Sequence, residues 1–450
     1  MDLVSKISVS NFRKPGQSTL TRAEWKAMIF SRKKTATSRI FYGWYVLAAS
    51  FFLLFFQSGA RFSFGIMFKP MAAEMGWNRT SISLTFFLNT VFFALTLSLA
   101  GKLYDRYGPR MVILVSTVLL AAGYISTSQV YSLWQFHLFY GVITAVGLGG
   151  ASVPLIAALM SKWFARRRGL AISLALSGNC LGQFVMVPFV NWFVLAYGWR
   201  FSYVLLGIII LAGNILLVLT VIKGDPEEMG IKPYGHDPVD AAAKPENPNN
   251  TIPQPNDLSL LQASKTRSFW FFLLFMLICG SGDFLVAAHL VPVVTDSGVS
   301  PTSAANMMAW FGLLSMGGIL IAGPASDLIG NKIPIALTFV LRLILFLMIL
   351  KYPSPITFFI FAIGFGFTLL ITAPLTTTLV GRLYGFTHVG LISGFITTIH
   401  HLGGGFWAFM GGAIFDRTGS YQITFTLSAF LAFIAIISTL AIKEKRHTIN

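Results

Sequence analysis

Gly101-Lys-Leu-Tyr-Asp-Arg-Tyr-Gly-Pro-Arg110 is echoed 222 residues later by Gly323-Pro-Ala-Ser-Asp-Leu-Ile-Gly-Asn-Lys332, with glycine, aspartate, glycine and a basic residue at matching places. The same offset carries Pro70, Glu74, Gly76, Thr80 and Ser81 onto Pro292, Asp296, Gly298, Thr302 and Ser303. One ungapped register across two apolar stretches and their loops marks a duplicated unit. Outward from this pair the chain is apolar throughout: of 450 residues, 55% are hydrophobic and 11% charged, and the mean hydropathy is +0.71. A soluble domain carries about 25% charged residues, so this chain cannot coat a water-facing surface. Stretches such as Gly43–Ala60 and Phe201–Ile222 have about the 20 apolar residues that cross the hydrocarbon core as a helix. Alternation of period two is absent, which points to helices rather than a membrane β-barrel.

Apolar runs cut by glycine, proline and charge predict spans at 42–68, 80–100, 111–128, 133–160, 169–195, 201–222, 269–292, 304–324, 333–350, 355–380, 389–413 and 421–441. The expected fold is an all-α membrane protein of twelve transmembrane helices in two pseudo-symmetric six-helix halves. The halves are 41–222 and 269–442, flanked by a basic tail (1–40), a polar linker (223–268) and a short tail (443–450). The linker is rich in Pro, Asn, Asp and Glu and too polar to bury a core of its own.

The formal charge of +17 raises the possibility of nucleic-acid binding, and the placement of the charge argues against it. Nine of the 33 Lys and Arg lie in residues 1–40, and others cluster at 102–110, 162–168, 223–267 and 443–446. Outside the spans, only Lys69, Arg79, Arg200, Lys351 and Arg417 fall on the opposite side. This is the positive-inside pattern, and it places both termini in the cytoplasm, with the chain in a bacterial inner membrane. Cys180 and Cys279 sit within spans and read as small core residues, not as a disulfide framework. Residues 1–40 lack the apolar core of a cleavable signal peptide, so the first span is expected to serve as the insertion signal.

In the repeated loop, which also carries Arg106 and Arg110, Gly101 and Gly108 allow a tight turn, and Asp105 can hold basic side chains or a helix N-terminus at the cytoplasmic face, contacts expected to close the inside only in the outward-open state. Gly323, Asp327 and Gly330 repeat the arrangement. The segment resembles the loop signature of major facilitator transporters, whose parallel six-helix repeats enclose a substrate site near the midplane. Further segments resemble one branch, the monocarboxylate transporters and bacterial relatives such as oxalate/formate antiporters. They are Gly43-Trp44, Phe64-Gly-Ile-Met-Phe-Lys69-Pro70 with Gly76-Trp77-Asn-Arg79, Trp163-Phe-Ala-Arg-Arg167-Arg168-Gly169, Asp225-Pro-Glu-Glu-Met-Gly230, His289-Leu-Val-Pro292 and Phe415-Asp416-Arg-Thr-Gly419-Ser-Tyr421.

The chain departs from that branch in its eighth span. The branch commonly carries a substrate-binding arginine four residues before the second loop motif; here that position is Ile319. An aspartate found one turn earlier in animal members corresponds to Ser315. The ionisable residues that remain within spans are Arg61, Asp283, Arg342, His137, His289, His400 and His401, and such residues suggest function by default. Arg61 lies one position from the place of the branch's substrate lysine, which corresponds roughly to Phe62. Asp283 falls 222 residues after Arg61, so the two are expected to pair across the centre, as substrate or coupling residues or as a structural ion pair. Arg342, in a ninth span usually peripheral in such folds, is a weaker substrate candidate. His400 and His401 point about 100° apart on one helix, so at most one is expected to face the cavity. His289 reads equally as a packing residue, and His137 is assigned no role.

No nucleophile elbow, phosphate-binding loop or metal-ligand cluster is visible, so neither an enzyme, an ATP-driven pump nor a cofactor is expected. The expected partners are a small-molecule substrate, a coupling proton or other ion, and the lipid bilayer, with the protein working as a monomer. A small organic anion fits the branch and the cationic Arg61. A larger amphipathic metabolite fits Ile319. A non-transporting receptor is disfavoured by the two intact loop motifs.

Overall fold

The computed structural model describes residues 41–235, 257–385 and 387–443; the expected tails and the centre of the linker lie outside them. Among the described residues nine helical segments are long and apolar enough to cross a membrane. In chain order these are α1 Gly43–Met75, α2 Arg79–Thr127, α3 Leu133–Trp163, α4 Arg168–Thr220, α5 Arg267–Asp296, α6 Pro301–Ile329, α7 Lys332–Lys351 and α8 Pro355–Tyr384, with α10 Gln422–Ala441 the ninth. Between α8 and α10 runs α9, Val389–Thr418. Its three successive glycines, two histidines and terminal Asp416 and Arg417 lower its hydropathy.

At 49 and 53 residues, α2 and α4 are each far longer than one crossing needs, since a helix rises about 1.5 Å per residue through a core about 30 Å thick. Both break where a glycine leaves helical geometry, Gly108 at φ 78° and Gly198 at φ 82°. The 222-residue register recurs in the backbone. Gly76 and Gly298 have φ of 66° and 83°, and Gly108 and Gly330 have 78° and 77°. Helix starts repeat too: Asn78 accepts from the Ser81 amide, and Ser300, 222 residues on, accepts from that of Ser303. Each cap satisfies an amide that the first helical turn leaves unpaired.

One apolar core runs through both repeats, joining Phe64, Phe68 and Phe86 to Phe284, Phe311 and Phe365. Outward faces carry exposed Leu95, Leu99, Trp192, Leu216, Trp270 and Phe430, a distribution suited to lipid rather than water. Across the repeats α9 packs on α2 and α6 on α4; within the second repeat α9 packs on α5. The last contact is so close that a Cβ at Gly280 would overlap the carbonyl oxygen of His400, the small-residue packing by which membrane helices approach one another. Gly280→Ala is expected to cost about 1–3 kcal/mol, read as a lowered thermal midpoint in detergent. An unchanged midpoint would show that α9 can shift without penalty.

Candidate functional site

The interior charges of the second repeat gather on α5. Asp283 is 5% exposed, and its Oδ1 lies 2.7 Å from Arg342 Nη2 of α7. Arg342 is itself 2% exposed. Its Nε donates to Thr368 Oγ1 (2.9 Å), Nη2 to the Thr368 carbonyl (3.1 Å) and Nη1 to the Cys279 carbonyl (3.2 Å). Gly282 leaves room for the guanidinium beside Phe365. On the other carboxylate oxygen, Oδ2, converge Cys279 Sγ at 3.5 Å and His400 Nε2 of α9 at 3.8 Å.

Two sequence expectations are corrected here. Arg342 is not peripheral, because α7 turns its polar position inward onto Asp283 and the Thr368 turn of α8. The partner of Asp283 is therefore Arg342, not Arg61: equivalent places in two repeats put Arg61 and Asp283 on matching helices without aiming them at one another. Cys279, Asp283 and His400 come together with their ligand atoms within 4.8 Å. The pattern is hard to read along the chain because one donor comes from a distant helix.

Arg61 ends the first part of α1. Its guanidinium carbon lies 4.7 Å from the ring centre of Phe93 and 5.5 Å from that of Phe284, so it sits between the repeats on two aromatic faces. Nη2 is buried and has no hydrogen-bond partner, and among the described residues Arg61 forms no ion pair. His401 lies beside it: Nδ1 bonds the Thr397 carbonyl at 2.8 Å, and the ring packs on Phe93 and Phe284. Both histidines thus reach the interior, His400 toward Asp283 and His401 toward the Arg61 aromatics, through the 100° turn between them.

His289 is fully engaged. Its ring nitrogens meet the Tyr421 hydroxyl and the Ala408 carbonyl, each at 2.8 Å, which one neutral tautomer satisfies. His137 Nδ1 meets Thr85 Oγ1 at 2.7 Å. Ser315 is buried and donates to the Gly312 carbonyl at 2.6 Å. Together with the apolar Ile319 it leaves that part of α6 without charge.

A network that the sequence reading does not anticipate lies at the end of the bundle where α2 begins. Asp296 of α5 takes Lys69 Nζ at 2.8 Å and Arg79 Nη1 at 2.6 Å, both from the first repeat. Arg79 also donates to the Tyr421 hydroxyl at 2.9 Å and stacks at 3.6 Å on the Phe415 ring. Asp416 of α9 accepts from the backbone amides of Arg79 (3.1 Å) and Thr80 (2.6 Å). Glu74, the counterpart of Asp296, instead stays within its own repeat on Trp199 Nε1 and Arg200 Nε. The pairing of Glu74 with Asp296 in the repeat register was the available signal, but it says nothing of which repeat each acid faces.

At the opposite end the loop motifs lie open. Asp105, Arg106 and Asp327 are exposed, and among the described residues neither aspartate makes an ion pair or hydrogen bond. Gly101 and Gly323 have no neighbour near the place of a Cβ, while Arg110 donates to the Leu219 carbonyl at 2.7 Å. Contacts of Asp105 with basic side chains, expected only when the inner end is closed, are absent among the described residues in this arrangement.

Residues 50–294 and 272–449 match the family model described as Major Facilitator Superfamily. The uncharacterised MFS-type transporter YcxA of Bacillus subtilis (strain 168) is 26% identical over 421 residues, which are 90% of this chain and 98% of that protein. Monocarboxylate transporter 13 of Bos taurus is 25% identical, with 87% of each chain covered. The crystal structure of a D-xylose–proton symporter superposes with a TM-score of 0.68 at 14% identity, covering 90% of this chain and 99% of that one.

Proposed function

The chain belongs to the Major Facilitator Superfamily and is a multi-pass membrane transporter, and from that premise we propose that it moves a small, monocarboxylate-like organic anion by alternating access, with Arg61 receiving the carboxylate. The observation that carries this reading is the state of Arg61, a half-buried side chain between the two repeats whose Nη2 is shut off from solvent with no hydrogen-bond partner, and which has no acidic partner among the described residues. A charge in that position is costly unless it is matched, and a substrate carboxylate would match it. Arg342 has its counter-ion in Asp283. The mammalian monocarboxylate transporters to which the chain is similar are in keeping with an anionic substrate. A larger amphipathic metabolite is the second reading, favoured by the uncharged Ser315 and Ile319.

Breaking α2 at Gly108 and α4 at Gly198, and adding α9, gives twelve crossings and the halves 41–222 and 269–442 about the linker 223–268. Both termini are then cytoplasmic, in a bacterial inner membrane, with Asp105 and Asp327 on the inner side. In this reading the Asp296 and Asp416 network closes the outer end, the arrangement is inward-facing, and the loop aspartates engage when the inner end closes. The driving force is an ion or substrate gradient, with Asp283 and His400 the coupling residues.

The test is uptake of labelled monocarboxylates into proteoliposomes with and without a pH gradient. Arg61-dependent uptake supports the proposal; uptake of neutral amphipathic compounds only, unaffected at Arg61, overturns it. For the outer network, Asp296→Asn is expected to move the population toward outer opening by about fivefold, the worth of roughly 1 kcal/mol for partly exposed pairs. The measure is the rate at which a cysteine introduced at Val299 is alkylated from outside. An unchanged rate would remove the gating role.

A further inference from the structure

We propose that Cys279, Asp283 and His400 form a binding site for a Zn2+-class transition-metal ion. The inference does not rest on the substrate reading, and it gives Asp283 and His400, proposed above as coupling residues, a further ligand shared with Cys279. Cys279 and Asp283 stand one turn apart on α5, and His400 reaches them from α9; their ligand atoms lie within 4.8 Å of one another. Cys279 Sγ and His400 Nε2 stand 3.5 and 3.8 Å from the same oxygen, Asp283 Oδ2. Donors bound to one tetrahedral Zn2+ at about 2.0–2.3 Å stand a similar distance apart, so small side-chain adjustments bring all three onto one ion.

The division of labour on Asp283 supports the assignment. Arg342 occupies Oδ1 at 2.7 Å and leaves Oδ2 to the thiol and the imidazole. The guanidinium on Oδ1 is a charge contact that fixes the carboxylate, and its Nη1 also reaches Cys279 Sγ at 3.6 Å. The Thr372 hydroxyl, 3.6 Å from the sulfur, offers a further oxygen donor. Sulfur, nitrogen and carboxylate donors together suit a borderline-soft ion and not Mg2+ or Ca2+, which take oxygen. Once the thiol releases its proton to solvent on binding, thiolate and carboxylate carry two negative charges against the ion's two positive charges and the one on Arg342, leaving the cluster with a net charge of one. A bound ion would cross-link α5 to α9 at the Gly280 contact.

The test uses Co2+ as the spectroscopic probe on detergent-purified full-length protein. The wild type is expected to show thiolate-to-cobalt charge-transfer absorption at one equivalent, displaced by Zn2+. Only two cysteines are present in the chain, so Cys180→Ser should retain the absorption and Cys279→Ser should lose it. His400→Gln, which preserves a polar side chain, is an independent arm expected to weaken Co2+ affinity by at least about tenfold. Absence of the absorption in the wild type, its survival in Cys279→Ser, its loss in Cys180→Ser, or unchanged affinity in His400→Gln overturns the site.

Discussion

Asp283→Asn and Arg342→Met are each expected to destabilise the protein by about 3–5 kcal/mol, the cost of leaving one buried charge without its partner. The physical basis is the burial of both side chains, 5% and 2% exposed, in an ion pair of 2.7 Å. Removing the carboxylate leaves Arg342 with only neutral acceptors, the Thr368 hydroxyl and the carbonyls of Thr368 and Cys279. Removing the guanidinium leaves Asp283 facing a thiol and an imidazole. The double variant should regain most of the loss, because two neutral side chains of similar volume need no counter-ion. Thermal unfolding and membrane yield of the four proteins complete a double-mutant cycle, and coupling between contacting charges should appear as non-additivity. Additive losses would mean the pair is solvated in the membrane-embedded protein. A parallel cycle between Arg61 and Asp283 is expected to show much weaker coupling, since the structure gives these residues different neighbours.

The second large effect is expected at Arg61. Arg61→Ala should reduce uptake by about 30-fold or more, on the footing that a buried charge contact to a ligand is worth about 2–5 kcal/mol, while leaving yield and thermal midpoint near those of the wild type. Stability is expected to hold because Arg61 has no acidic partner to strand; its contacts are the faces of Phe93 and Phe284. Arg61→Lys keeps the charge but loses the planar, bidentate geometry, and an intermediate activity is expected. Uptake kinetics beside a melting curve separate the outcomes. Full uptake in Arg61→Ala would end its role as the carboxylate anchor.

The fold was legible because membrane burial and duplication leave marks that survive in one dimension. The 222-residue register reappeared as matching left-handed glycines and matching helix caps, since tight turns demand the same backbone whatever the neighbouring side chains are. The charged interior was legible only as a set of residues. Arg61, Asp283, Arg342 and His400 could all be named from their cost in hydrocarbon, but their pairing depends on helix rotation, which the register does not encode. The register therefore points Asp283 at Arg61, whereas helix rotation pairs it with Arg342. The outer network escaped for another reason: Lys69, Arg79, Asp296 and Asp416 lie near predicted helix ends, where charge is ordinary. The approach of α5 to α1 and of α9 to α2 makes them one cluster.

The start of α2 borrows its hydrogen bonds. Asn78 serves the Ser81 amide from within the helix, but the amides of Arg79 and Thr80 are served by Asp416 from the other repeat. Any rearrangement that parts the repeats at this end strips those two amides of their acceptor and hands them to water, so opening carries a local fraying of the first turn. Deuterium uptake at the backbone of Arg79 and Thr80 should therefore act as a clock for the gate, slow while the repeats are joined there and fast once they separate, without any label attached to the protein.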